Sequence, residues 1–191
     1  MPALSDPPID YPALASRIAS CKACPLSVGR RRVVVGSGPV PGPLLLVGEG
    51  PGAQEDALGL PFVGRAGQLL DRLLAEAGLD RADVAVTNVV KCRPPGNRPP
   101  SRREVDTCRG WLTAQLDAID PRVIVSLGGT ATAWFLGRGR RLADVRGRTH
   151  DVAGRAVLPT YHPSAALRFG PAGEPMALLR ADLAMAAGLS R

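Results

Sequence analysis

The chain has 191 residues, a length that suits one ordinary domain with a real core and is short for two. Hydrophobic residues make up 45% and charged residues 21%, which are globular proportions, and no apolar run approaches the roughly 18 to 20 residues of a membrane span. The formal net charge is +7, carried almost wholly by arginine, because Lys22 and Lys91 are the only lysines. Arginine's planar fork suits phosphate, so nucleic acid is the leading partner; the alternative is an arginine-rich coding bias that leaves a merely solvated basic surface.

A soluble, monomeric protein with no membrane partner is expected. The opening MPALSDPPIDYPALASRIAS has no basic stretch followed by an apolar one, so no secretory signal is read and a cytoplasmic location follows. A segment over residues 1–32 carries Cys21 and Cys24 as a C-x2-C pair, and Cys92 and Cys108 follow after a long gap as C-x15-C. Four thiols in a reducing compartment read as a metal or cluster site rather than as disulfides. Spacing alone favours zinc over an iron–sulfur cluster.

Next come short apolar runs separated by helical patterns. LLLVG (44–48), VAVTN (84–88), VIVSLG (123–128) and AVLPT (156–160) suit strands covered on both faces. AGQLLDRLLAEAGL has the i, i+3, i+4 spacing of an amphipathic helix closed by Gly78. SRREVDTCRGWLTAQLDAI opens on the Ser101-x-x-Glu104 capping box and stops before Pro121, while GTATAWFLG and MALLRADLAMAAGL supply two more helices. Strand and helix alternating in this way predict an α/β fold, a three-layer α/β/α sandwich on a central four-stranded parallel sheet, with residues 1–191 as a single domain.

In such a sheet a ligand sits beyond the carboxyl ends of the strands. The unusual residues gather there: Gly48-Glu49-Gly50-Pro51-Gly52 after the first strand, Asn88 at the end of the second, Gly128-Gly129 after the third, Tyr161-His162-Pro163-Ser164 after the fourth. The three glycines do not make a dinucleotide fingerprint, because the third is misplaced, Pro51 interrupts and no helix begins at once; no nucleotide cofactor is expected. They let backbone N–H groups approach a flat ligand.

GEGPGAQED, followed by G-x-PFVG-x-AGQLL, TNVVKC and YHPSAALR, resembles the uracil-DNA glycosylase superfamily, and most closely its iron–sulfur type, family 4. The resemblance runs in one motif order from Cys21 to Arg168. It implies hydrolysis of the N-glycosidic bond of deoxyuridine in single- and double-stranded DNA, leaving an abasic site and starting base excision repair. It also makes Cys21, Cys24, Cys92 and Cys108 the ligands of a [4Fe-4S] cluster, with a structural role since hydrolysis needs no electron.

The resemblance assigns roles that fit the residue types. Phe62 offers a face to a base flipped from the stack, the other reading being an ordinary core residue; aromatic stacking returns about 1–3 kcal/mol. Asn88 presents a donor and an acceptor to one base edge, or else merely forms a turn. His162 hydrogen-bonds uracil and steadies the departing anion, the bland reading being a capping or core histidine. Glu49, Gly50 and Pro51 line the uracil site. Glu49 and Glu55 are the two carboxylates for orienting water at the cationic sugar, with Glu49 preferred, and Asp56 is expected to cap or turn its loop.

Better-known relatives read Gly-Gln-Asp-Pro-Tyr-His in the first motif; here Gly50 and Gly52 stand in place of the Asp and the Tyr, which removes their water activator and thymine filter. Leu167 or a neighbour is the apolar wedge into the duplex, and Arg168, with Arg98 and the other arginines of RPPGNRPPSRR, contacts phosphate. No lysine occupies the pocket motifs, so a monofunctional enzyme without strand cleavage is expected.

Overall fold

A computed structural model of the chain describes residues 10–191; residues 1–9, the first part of the stretch in which no secretory signal is read, lie outside the described residues. In chain order the elements are α1 (Tyr11–Ala19), α2 (Leu26–Gly29), β1 (Leu44–Gly48), α3 (Ala53–Leu58), α4 (Arg65–Glu76), β2 (Ala85–Asn88), α5 (Arg102–Ile119), β3 (Val123–Leu127), α6 (Gly129–Leu136), α7 (Leu142–Val145), β4 (His150–Val152), β5 (Arg155–Thr160), α8 (Pro163–Phe169) and α9 (Glu174–Ser190). The sheet order is β2-β1-β3-β5-β4. Strands β2, β1, β3 and β5 are parallel, in the register Gly48 opposite Asn88, Val47 opposite Ser126 and Leu127 opposite Thr160.

The expected four-stranded sheet is corrected to five. The addition, β4, runs antiparallel to β5 at the sheet edge, joined to it by a hairpin at Ala153-Gly154, both with positive φ (53° and 78°). Three residues with only half-buried or exposed side chains carry no apolar run, so no strand shows in the sequence there.

Alternation along the strands divides the core. Leu44 and Leu46 of β1, with Val123 and Val125 of β3, face α4, α8 and α9 through Leu70, Leu73, Ala166, Leu179 and Leu183. Leu45 and Val47, with Ile124 and Val157, face α5 through Val105, Leu112, Leu116 and Ile119. Fully apolar strands are what a sheet covered on both faces requires, and each fully buried Leu, Ile or Val contributes about 1.5–3 kcal/mol relative to an exposed one. Helix α5 starts at the expected box: the Ser101 N–H donates to Glu104 Oε2 at 2.7 Å, and the Glu104 N–H donates to Ser101 Oγ at 3.3 Å. No helix among the described residues is long and apolar enough to cross a membrane.

Candidate active site

The carboxyl ends of β1, β2 and β5 open onto one cavity of about 230 Å³ lined by Glu49, Gly50, Pro51, Gly52, Glu55, Phe62, Ala66, Asn88, Pro94, Asn97, Arg98, His162 and Ser164, whereas Gly128 and Gly129 after β3 do not line it. Eight sequence-selected residues therefore converge: Glu49, Gly50, Pro51, Glu55, Phe62, Asn88, Arg98 and His162. Leu167 and Arg168 do not line it. Leu167 is partly buried against the core, and Arg168 is exposed on the last turn of α8 beside Phe169, whose side chain is 65% exposed.

Phe62 and Asn88 share a corner with Gly48. A Cβ on Gly48 would meet the Asn88 carboxamide oxygen and come within 2.7 Å of the Phe62 ring, so only glycine lets both side chains close over the strand end. Phe62 is 7% exposed and packs in the core while its ring lies 5.7 Å from that of His162, tilted by 30°. Its φ of 55° is unusual for an aromatic residue and is strain of order 1–3 kcal/mol of the kind that gathers at functional sites. Phe62 is thus both a core residue and a cavity wall.

Asn88 is held from behind. The buried Lys91 ammonium donates to the Asn88 carbonyl at 2.6 Å and to Thr87 Oγ1 at 2.8 Å. The Val89 and Val90 N–H groups donate to the carbonyls of Gly48 and Glu49, which carries the β1–β2 pairing past the strand ends. Among the described residues the Asn88 carboxamide makes no side-chain hydrogen bond, so its donor and acceptor are left for a ligand in the cavity it lines. Burial brings the Lys91 ammonium down to about 7, opposed by Cys108 and Cys92. Sequence reading passed over Lys91; its burial follows from the way the chain leaves β2.

The two carboxylates differ. Glu55 Oε1 accepts the N–H groups of Val63 (2.9 Å) and Gly64 (2.8 Å), and Oε2 accepts that of Gly52 (3.1 Å), so Glu55 ties the glycine loop to the residues that follow Phe62. Glu49 receives one short hydrogen bond, from the Thr130 hydroxyl, at Oε2. Asp56, 2% exposed, accepts the Arg31 N–H at 2.9 Å and fastens that segment to α3.

His162 is both the N-cap of α8 and a cavity wall. Its Nδ1 accepts the Ser164 N–H at 3.1 Å and lies 2.8 Å from the Ser164 hydroxyl. An accepting Nδ1 places the proton of a neutral ring on Nε2. Burial pushes the imidazole down to about 4, against the opposing pull of Glu55. His150 is engaged elsewhere, with Nε2 2.8 Å from the Val145 carbonyl.

Arg98 lines the cavity from the proline loop and is gripped by Glu104 through two bonds, Nη1 to Oε2 at 2.9 Å and Nη2 to Oε1 at 2.7 Å. That partner, with the Ser101 N–H, brings the Glu104 carboxyl down to about 2.

A separate small cavity is lined by Cys21, Cys24, Cys92 and Cys108. The Trp111 indole N–H donates to Cys21 Sγ at 3.2 Å and Arg30 Nη1 to Cys92 Sγ at 3.1 Å. Burial pushes the Cys92 and Cys108 thiols up, countered by Arg30 at the first and Lys91 at the second. Among the described residues no three His, Cys, Asp or Glu side chains close on a point as the ligands of one metal ion do.

An α/β sandwich with its polar residues gathered at the carboxyl ends of the parallel strands defines a class that known proteins make specific. Residues 35–184 match the Uracil DNA glycosylase superfamily, and the chain belongs to that superfamily. A type-4 uracil-DNA glycosylase of Thermotoga maritima is 49% identical over 157 residues, covering 81% of this chain and 82% of its own. One of Pyrobaculum aerophilum is 44% identical over 168 residues, covering 84% and 86%. A type-5 uracil-DNA glycosylase of Thermus thermophilus is 32% identical over 193 residues, covering 82% and 88%.

Proposed function

We propose that this uracil-DNA glycosylase, acting as a monomeric single domain in the cytoplasm, hydrolyses the N-glycosidic bond of deoxyuridine in single- and double-stranded DNA, releasing uracil and leaving an abasic site. The observation that carries the assignment of roles is the convergence of Phe62, Asn88 and His162 with Glu49 on one cavity. Phe62 takes the face of the flipped base, repaying part of the few kcal/mol that unstacking costs. The Asn88 carboxamide reads the edge that distinguishes uracil from cytosine, worth about 1–3 kcal/mol of discrimination. The neutral His162 donates Nε2–H to the oxygen on which charge develops as the base leaves.

Glu49 orients the attacking water and faces the cationic sugar, with its second oxygen position fixed by Thr130. Glu55, committed to three backbone N–H groups, is a positioning residue that shapes the glycine loop and the turn carrying Phe62. The buried Lys91 is not among the cavity residues, in keeping with a monofunctional hydrolase that forms no Schiff base. Arg98 and Arg168 contact DNA phosphates. Leu167 is partly buried against the core, so the exposed Phe169 at the end of the same helix takes the part of the apolar wedge.

Cys21, Cys24, Cys92 and Cys108 hold a [4Fe-4S] cluster. The fit rests on the donor set: four sulfurs around one cavity, two of them receiving N–H donors, with cations beside Cys92 and Cys108. A cluster there supplies a covalent tie between the N-terminal segment, α5 and the end of β2.

An alkaline-cleavage assay on a uracil oligonucleotide with a thymine control tests the assignment. Wild-type protein yields alkali-labile sites at uracil alone and no cleavage without alkali. Glu49→Gln lowers kcat by about 10²–10⁴. Glu55→Gln turns an amide N–H toward the backbone donors that its carboxylate now satisfies, costing about 1–3 kcal/mol of stability and lowering Tm. A kcat collapse in Glu55→Gln with unchanged Tm and full turnover in Glu49→Gln reverses the two roles.

A further inference from the structure

Lys91 is a buried cation to which the hydrolysis itself gives no part. It is 2% exposed, lies three residues past Asn88 and directly precedes Cys92. A lysine is almost never buried to this extent unless it is paired. Among the described residues the charges that bear on its ammonium come from the sulfurs of Cys108 and Cys92, not from a carboxylate.

The sheet edge explains what the ammonium does there. Strand β2 is the edge strand beside β1, and at Val86 its outer side is closed by a reciprocal pair of backbone bonds with Ser37, at 2.9 and 2.8 Å. Two residues further on, Asn88 turns its carbonyl to the same outer side, because backbone groups alternate along a strand. Among the described residues no backbone N–H reaches that carbonyl. The Lys91 ammonium takes the place of the missing donor at 2.6 Å and adds a bond to Thr87 Oγ1 at 2.8 Å. The Thr87 hydroxyl lies in turn 2.9 Å from the Val35 carbonyl and 3.2 Å from Gln115 Oε1, while the Val34 N–H donates to the Lys91 carbonyl at 2.8 Å. Lys91 thus joins the end of β2 to the segment that covers the sheet edge and, through Thr87, to α5.

A neutral donor would close one carbonyl without the several kcal/mol that burying an ammonium costs. A cation is retained where a counter-charge offsets that cost, and the cysteine site is the counter-charge at hand. The Asn88 carboxamide makes no hydrogen bond of its own among the described residues, so its aim into the cavity follows from where its main chain is held. We propose that Lys91 is a positioning residue for uracil recognition, fixing the Asn88 main chain from outside the cavity, and that the cysteine site supplies the charge that keeps it in the core. Uracil affinity then depends on a charge pair that touches neither base nor DNA. The proposal rests on the glycosylase reading for what Asn88 binds and on the cluster assignment for the counter-charge.

Lys91→Met keeps most of the stem and removes the charge and its donors. Calorimetry with free uracil should show binding weaker by roughly tenfold, the scale of one lost base-edge contact. Affinity for a uracil-free oligonucleotide, read by anisotropy, should stay at the wild-type value. In an Asn88→Ala background Lys91→Met should cost uracil binding nothing further, because the two side chains act through one contact. A redox titration of the iron-loaded protein should place the midpoint potential of Lys91→Met below that of wild type, since the reduced, more negative cluster loses a neighbouring cation, while Asn88→Ala leaves it in place. Lys91→Arg should restore both readings. A full loss of uracil affinity added to that of Asn88→Ala, or an equal loss of affinity for uracil-free DNA, overturns the positioning role. An unmoved potential overturns the pairing with the cysteine site. If Lys91→Met does not fold, Thr87→Val removes the ammonium's second anchor at nearly constant shape; weaker uracil binding with unchanged DNA affinity is expected, and wild-type uracil binding overturns the proposal. A wild type that binds free uracil but releases none from DNA refutes the glycosylase reading, while the Lys91 comparison, read in binding, stands.

Discussion

His162 shows how one side chain can satisfy two requirements through one proton. Capping α8 needs a lone pair on Nδ1 for the Ser164 N–H, and the neutral ring then has its hydrogen on Nε2, available to a ligand in the cavity the residue lines. Protonating Nδ1 sets two N–H groups against each other and breaks the cap. The folded value, about 4, lies below the ordinary 6.5, so the neutral form's contribution is complete above pH 6.5 and is lost as pH falls through about 4. We therefore expect the His162 limb of kcat/KM to be level above pH 6.5 and to drop towards pH 4, with circular dichroism recorded at each pH. An inflection near 6.5 that disappears in His162→Gln contradicts this placement. The sequence carried the histidine's position after the last strand, but not its tautomer, which is set by Ser164 folding back two residues later. Lys91 was less legible still: a lysine next to a cysteine looks solvated until the exit from β2 turns it inward onto Thr87 and Asn88.

Elements were legible in proportion to their length. The apolar runs of β1, β2, β3 and β5 and the periodic stretches of α4, α5, α6 and α9 appear in the structure, because burial on both faces of a sheet dictates such runs and burial of one helix face dictates such periods. The short pieces β4, α2, α3 and α7 fall below the span over which a period can be read. Helix α5 shows what local reading misses. Its capping box was visible as Ser101-x-x-Glu104, yet the same carboxylate also grips Arg98 and so holds the wall of the active-site cavity, an interaction that depends on the path of the proline loop. Glu104→Ala is expected to lose about 0.5–2 kcal/mol of stability through the cap and to raise KM for uracil DNA as the loop loosens, with kcat little changed. Thermal melting and steady-state kinetics check both effects. Tighter DNA binding by this variant instead means that Arg98 serves better freed to meet phosphate than fixed in the wall.

At the scale of the whole molecule, three parts of the chain meet at the sulfur-lined cavity: the segment after α1, the residue four places beyond Asn88, and the middle of α5. Tyr11 accepts a hydrogen bond from Gln115 at 3.1 Å and Arg17 lies over Trp111 at 5.6 Å, so α1 also rests on α5 through ordinary contacts. These polar contacts are partly exposed and add to the burial of Leu14 and Ile18 of α1, whereas the sheet and the α4, α8 and α9 layer form a core that needs none of the cysteines. On the proposed cluster assignment, the N-terminal segment around Cys21 and Cys24 is the part whose order depends on the cluster, and the end of β2, through Cys92, is the part of the candidate site nearest to it. Cys21→Ser/Cys24→Ser should abolish absorbance near ~400 nm and expose Arg17 and Lys22 to trypsin while the far-ultraviolet spectrum keeps most of its strength. Turnover should fall less than it does in Cys92→Ser, where the damage lies at the root of the strand that carries Asn88. Unaltered absorbance, zinc in place of iron, or global unfolding of the first variant each contradicts the division into a cluster-dependent segment and an independent sheet.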